Sequence, residues 1–206
     1  MKLKLTYPVK PYFLNQGFGV NYYTYHKEFG MNGHNGLDLK ASHGQPVYAA
    51  HEGTCSVQVE ANEGRGVVIT SNDMYEYKDT VAYFKTIYWH LANPNKEPQY
   101  ASPVKEGQIV KQGDLIGYAD NTGFSTGDHL HFGLKPIVKV TDSYSYNLEQ
   151  NNGYFGAIDP LPYFSQSLTE EEFDKLHPEL DKEVTIADYT FRQFLFAKFK
   201  KIFTGK

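Results

Sequence analysis

From Tyr7 to Phe164 the chain never sustains a 3.6-residue apolar period. Short runs of Val, Ile, Tyr and Phe alternate instead with clusters of Gly, Asn, Asp and Pro. A helix that packs on a core needs an apolar stripe over several turns, and such a stripe is missing here. β-branched and aromatic residues suit a pleated, half-buried surface, and the Gly-rich clusters suit turns. Candidate strands are Pro46 to Ala50, Thr54 to Val59, Gly66 to Thr70 and Phe84 to Trp89. The expected fold class is mainly β: an antiparallel β-sheet or sandwich with an open groove, followed by a short C-terminal helical segment. Val104 to Gly117 is paced by Gly107, Gly113 and Gly117 around Ile109-Val110 and Leu115-Ile116. Each glycine can supply the positive φ of a tight turn, so this stretch is expected to fold as hairpins. Lipoyl and biotinyl carrier domains use similar hairpins with a lysine at the tip. The next turn, Asp120 to Gly127, has no lysine, which removes the carrier reading.

Composition narrows the chemistry. The chain has 206 residues, enough to bury a core, and its 17 Tyr, 14 Phe and 1 Trp are foreign to disordered sequences. Cys55 is the only cysteine, which rules out a disulfide scaffold and a Cys₄ metal site. It is expected to be a small buried hydrophobe. Any metal must be held by nitrogen and oxygen, and eight His are available. The net charge is −4, with no broad basic field, so nucleic acid is not an expected partner. No apolar run approaches the roughly 18–20 residues that span a bilayer.

The last 40 residues change character. Thr169-Glu170-Glu171-Glu172 and Thr185-Ile186-Ala187-Asp188 read as helix starts. Phe191, Phe194, Leu195, Ile202 and Phe203 share one helical face. Residues 170–188 carry eight acids and two bases, whereas residues 189–206 carry five bases and no acids. Two domains are expected, 1–165 and a helical tail 166–206. The basic helix would either pack its Phe face on the domain or a second subunit, or make weak contact with an anionic membrane or cell wall.

Four motifs carry chemistry. Gly33-His34-Asn35-Gly36-Leu37-Asp38 places a His and an Asp four apart on an extended segment, on one face because four is even. Asp128-His129-Leu130-His131-Phe132 aims two histidines into one space and Leu130 into the opposite layer. Ile87-Tyr88-Trp89-His90-Leu91 ends an apolar strand on His90, with Tyr88 on the same face. The turn Asn121 to Gly127 feeds the His-x-His strand and suits the rim of a cleft. His34, Asp38 and one of His129 and His131 make a three-ligand, His₂-carboxylate set, which leaves zinc's fourth position for water. The other histidine of the pair and His90 could then handle protons or stabilise an oxyanion.

Together these motifs, with Val104-Lys105-Glu106-Gly107 to Gly117, resemble the signature of the lysostaphin-type (LytM-like) zinc metallopeptidases over roughly residues 10 to 165. The resemblance implies an antiparallel β core crossed by a groove, and cleavage of peptide bonds in bacterial peptidoglycan. Carried over by position, His34, Asp38 and His131 would bind one Zn²⁺, and His90 and His129 would be catalytic. Tyr88, Asn121 and Tyr25 are assigned to substrate binding. His26, His43, His51 and His177 have no partner by spacing and are assigned surface or structural roles. His26 and His43 are the first exceptions to consider, since both flank the first ligand segment. Asp128 and Gly133 depart from the usual residues at their positions, which bears on substrate preference. The N-terminal residues show no apolar signal region. The resulting expectation is a chain made in the cytoplasm that acts in the periplasm or cell wall after holin release, as a phage endolysin, or is carried in a virion. A catalytically silent peptidoglycan-binding or hydrolase-regulating relative is the alternative. It would be expected to lack some of the five polar groups that are present here.

Overall fold

A computed structural model describes residues 1–10, 12–20, 29–60, 64–141 and 144–165. The expectations for Tyr25, His26, His177 and the tail 166–206 lie outside these residues. In chain order the strands are β1 (Leu14–Gln16), β2 (Leu37–Lys40), β3 (Pro46–Tyr48), β4 (Gly53–Glu60), β5 (Gly64–Thr70), β6 (Tyr75–Tyr77), β7 (Thr80–Leu91), β8 (Ile109–Val110), β9 (Leu115–Tyr118), β10 (His129–Lys139) and β11 (Ser145–Asn147). The only other regular elements among the described residues are 3₁₀ turns at Pro98–Tyr100 and Leu161–Tyr163. The mainly β expectation therefore holds.

Nine strands form one antiparallel sheet, ordered β1-β2-β10-β7-β5-β4-β8, with β11 on β10 and β6 on β7. β3 and β9 form a second, two-stranded sheet. The two long strands, β7 and β10, lie side by side at the centre, with His131 opposite Trp89 and Phe132 opposite Tyr88. On the other edge of β10, His131 faces Asp38 and Phe132 faces Leu37. The period-2 pattern then sorts the side chains. Leu37, Leu39, Phe84, Tyr88, Leu130, Phe132 and Leu134 share one face and are fully buried. Asp38, His129 and His131 take the other face and line the site.

Two sequence expectations are corrected. Val104 to Gly117 is not a self-paired hairpin: β8 pairs with β4, and β9 pairs with β3. Gly107 (φ 73) and Gly113 (φ 89) do turn with positive φ, but Gly117 lies within β9 and is not among the positive-φ residues. A Cβ at Gly117 would come within 2.9 Å of Leu91 Cδ1, so close strand packing explains this glycine. Cys55 is buried in β4, as expected. The chain ends of the described part meet: Leu5 bridges Phe164, and Tyr7 stacks between Tyr12 and Phe164 at 3.9 and 4.2 Å between centroids.

Candidate metal centre

His34 sits in the turn before β2, and Asp38 sits within that strand. His131 comes from β10, two residues after His129. His34 Nε2 lies 2.9 Å from His131 Nδ1 and 3.1 Å from Asp38 Oδ1, and His131 Nδ1 lies 3.1 Å from the same Asp38 oxygen. His34 Nδ1 donates to Gly17 O at 3.2 Å, so its lone pair is on Nε2 and faces the other two groups. Three electron-pair donors thus converge on one point, an arrangement only a cation or protons can stabilise. Around tetrahedral zinc, nitrogen and oxygen donors at about 2.0–2.2 Å stand about 3.3–3.6 Å apart. The observed triangle is slightly tighter, and its N, N, O donor set suits that ion.

A close approach of backbone to ligand brings these groups together. A Cβ at Gly36 would lie 2.7 Å from Phe132 O and 2.8 Å from the His131 ring. Glycine at 36 therefore lets the turn carrying His34 lie directly against β10. Burial pushes the Asp38 carboxyl up, but the His131 and His34 nitrogens, which donate to it when protons rather than a metal fill the triangle, outweigh that and hold it well below the usual carboxylate range. Burial also holds the His131 imidazole below its usual value, against the hydrogen bond with Asp38.

His129 and His90 stand beside this triangle. Their ring centroids are 4.6 Å apart, and His129 Nε2 is 3.6 Å from Asp38 Oδ1. Each ring is fixed through Nδ1 to a carbonyl: His90 to Thr122 O at 2.6 Å and His129 to Gly127 O at 2.8 Å. A carbonyl only accepts, so Nδ1 carries the proton and Nε2 is left with the lone pair on both rings. Burial pushes His90 down to about 4.

Tyr88 is corrected on both counts. It does not share a face with His90, and it is not placed to bind substrate. Tyr88 is fully buried, accepts from Ala50 N–H at 2.8 Å and receives Thr86 Oγ1 at 3.0 Å. His90 has a φ of 65, and the pairing of β5 with β7 shifts between Arg65 and Val67. The irregularity breaks simple alternation and turns His90 toward His129 and His131. Asn121 is exposed in the turn before β10, between Asp120 and Thr122. His51 is buried and structural, with its ring nitrogens on Glu52 O and Thr86 Oγ1. The role of Thr122 was not singled out by sequence reasoning. Its carbonyl holds His90, and its hydroxyl donates to Leu91 O at 2.8 Å. Its place in a small-residue turn just before the His-x-His strand was the available signal.

A His₂-carboxylate centre flanked by two oriented imidazoles, on the face of an antiparallel sheet, defines a metallopeptidase-type site. The chain belongs to peptidase family M23, whose model matches residues 32–143 and so includes all five groups. It is 30% identical over 156 residues to the glycyl-glycine endopeptidase ALE-1 of Staphylococcus capitis, covering 74% of this chain and 34% of that protein. It is 34% identical over 149 residues to the peptidoglycan DD-endopeptidase ShyB of Vibrio cholerae, covering 67% of this chain and 30% of that protein. A zinc-containing peptidase of Vibrio cholerae superposes with a TM-score of 0.51 at 27% identity, covering 77% of this chain and 39% of that one. The chain spans about a fifth to a third of the length of the curated relatives it matches first.

Proposed function

We propose that this chain is a zinc-dependent endopeptidase that hydrolyses peptide bonds in bacterial peptidoglycan. The observation that carries the reading is the convergence of His34 Nε2, Asp38 Oδ1 and His131 Nδ1 within 3.1 Å of one another, beside the His90 and His129 rings. Those three side chains would hold one zinc per chain. Bound there, zinc supplies Lewis acidity and lowers the pKa of water toward about 7. The unprotonated Nε2 of one of His90 and His129 takes the proton released as water attacks the scissile carbonyl. The other ring, protonated at Nε2 as well, donates to the carbonyl oxygen as negative charge develops on it. Thr122 O and Gly127 O hold each ring by its Nδ1–H, so that the Nε2 of each is the atom that takes or gives a proton in the site. Two relatives, one named a glycyl-glycine endopeptidase and the other a peptidoglycan DD-endopeptidase, support the substrate class.

The finer part of the proposal is a lytic role as a phage endolysin or virion-borne lysin acting in the periplasm or cell wall. Immunodetection in purified virions, compared with the soluble lysate, separates those two settings. Digestion of purified peptidoglycans with different cross-links, with and without chelator, followed by mass spectrometry of the fragments, tests the activity. The reading expects chelator-sensitive peptide fragments from at least one chemotype. Chelator-insensitive cleavage, or intact stem peptides and bridges in all of them, contradicts it.

A further inference from the structure

Outside the metal triangle, one other cluster joins separate parts of the fold. His43, in the turn between β2 and β3, places Nδ1 3.0 Å from Asp120 Oδ1 and Nε2 2.9 Å from Glu97 Oε1. Both ring nitrogens are used, each on a different carboxylate, as expected of an imidazolium bridging two anions. Donors for a metal would instead present lone pairs to one point, as they do at His34, Asp38 and His131. Asp120 is buried, and its main chain lies between the two proposed catalytic histidines. Its N–H donates to His90 O at 2.8 Å, and its C=O accepts from His129 N–H at 3.4 Å. Two residues on, Thr122 O holds the His90 ring. Residues 120–122 are therefore the template on which both histidines are mounted.

We propose that His43 and Asp120 are positioning residues: their ion pair, braced by Glu97, fixes the 120–122 template and thereby the rings of His90 and His129. The inference rests on the proposed catalytic roles of those two histidines. Besides its bonds to His90 and His129, the template is tied to the turn after β2 by backbone bonds from Gly44 N–H to Ala119 O and from Ala119 N–H to Gln45 O, both at 2.8 Å. The His43 ring adds a third anchor by tying the same turn to Glu97, in the segment after β7. The two carboxylates are the charged groups that face His43, and Tyr100 contributes a ring edge at 5.3 Å and is itself packed on Tyr118. Hydrogen bonds to Glu97 and Asp120 raise the His43 pKa above its usual 6.5. The ion pair is therefore complete below that raised value and dissolves as pH rises through it.

The test follows the His90 Nδ1–H resonance by NMR in the metal-free protein, alongside the pH profile of kcat and KM for the zinc-loaded enzyme on purified peptidoglycan. In the wild type the proton held by Thr122 O should be protected from solvent exchange. His43→Ala and Asp120→Asn should each lose that signal and lower kcat about tenfold with little change in KM, and the double variant should be no worse than either. His43→Arg keeps a cation between the two carboxylates, so it should recover the signal and move the alkaline loss of kcat to higher pH. A protected signal and an unchanged kcat profile in His43→Ala and Asp120→Asn overturn the inference. Loss of the signal in a protein without chelator-sensitive cleavage overturns the proposed function instead and leaves the positioning role standing.

Discussion

At the scale of single residues, four of the five polar groups were legible because two motifs with even spacing placed them, His34 with Asp38 and His129 with His131, and the fifth, His90, was marked by its place at the end of an apolar strand. Which histidine of the pair joins the metal set was not in the spacing. The structure brings His131 Nδ1, rather than a nitrogen of His129, within 2.9 Å of His34. Tyr88 was misread because alternation from His90 was assumed to continue through a residue whose φ is 65. Replacing Tyr88 by Phe should leave Ala50 N–H without its side-chain partner and Thr86 Oγ1 with His51 alone, and cost about 1–3 kcal/mol, readable as a drop in denaturation midpoint. KM should not move, because Tyr88 is fully buried. A raised KM with unchanged stability would restore the substrate-binding role. His51 gives a second prediction. Burial lowers it to about 4, so between pH 6.5 and 4 the unfolded chain binds a proton that the folded chain refuses. Stability should therefore fall as pH drops through this window, by roughly 3 kcal/mol at most, and level off below it. His51→Gln should flatten that part of a urea-midpoint-versus-pH curve. An unaltered slope in the variant would assign the acid sensitivity to other groups.

At the scale of elements, individual strands were readable and their partners were not. Gly66 to Thr70 and Phe84 to Trp89 lie inside β5 and β7, whose alternation and β-branched content are local properties. Pairing is long-range: β8 reaches back to β4, and β9 reaches back to β3, across more than fifty residues in each case. Nothing in the Gly-paced stretch distinguishes such crossed pairing from a hairpin. The contact between the His34 turn and β10 is the element-level feature on which the site depends. Gly36→Ala should force Phe132 O or the His131 ring to move, cost about 1–3 kcal/mol and weaken zinc binding. Zinc affinity by competition with a chromophoric chelator is the direct readout. Unchanged affinity together with unchanged stability would show that the close approach is not needed.

At the scale of the whole molecule, one face of the large sheet carries the core and the other carries the chemistry. The buried face runs from Leu37 across Phe132 to Tyr88, and the register that pairs these residues also sets Asp38 beside His131. Asp38 stays ionised well below the usual carboxylate range, so the acid limit of cleavage belongs to the imidazoles. His131 and His90 are both pushed down by burial and remain neutral below the usual 6.5. Cleavage should persist somewhat below that pH and be lost before about pH 4, as ligand histidines protonate and release metal. A rate that stays flat down to pH 4 would contradict the histidine roles. The central claim, that the triangle of His34, Asp38 and His131 is the working metal centre of a peptidoglycan peptidase, is tested most directly by titrating zinc back into chelator-stripped protein while peptide-bond cleavage in purified peptidoglycan is measured. Cleavage should return in full at one zinc per chain in the wild type and stay absent at that level in His34→Ala, with the variant still folded. Undiminished cleavage by stripped His34→Ala would contradict the claim.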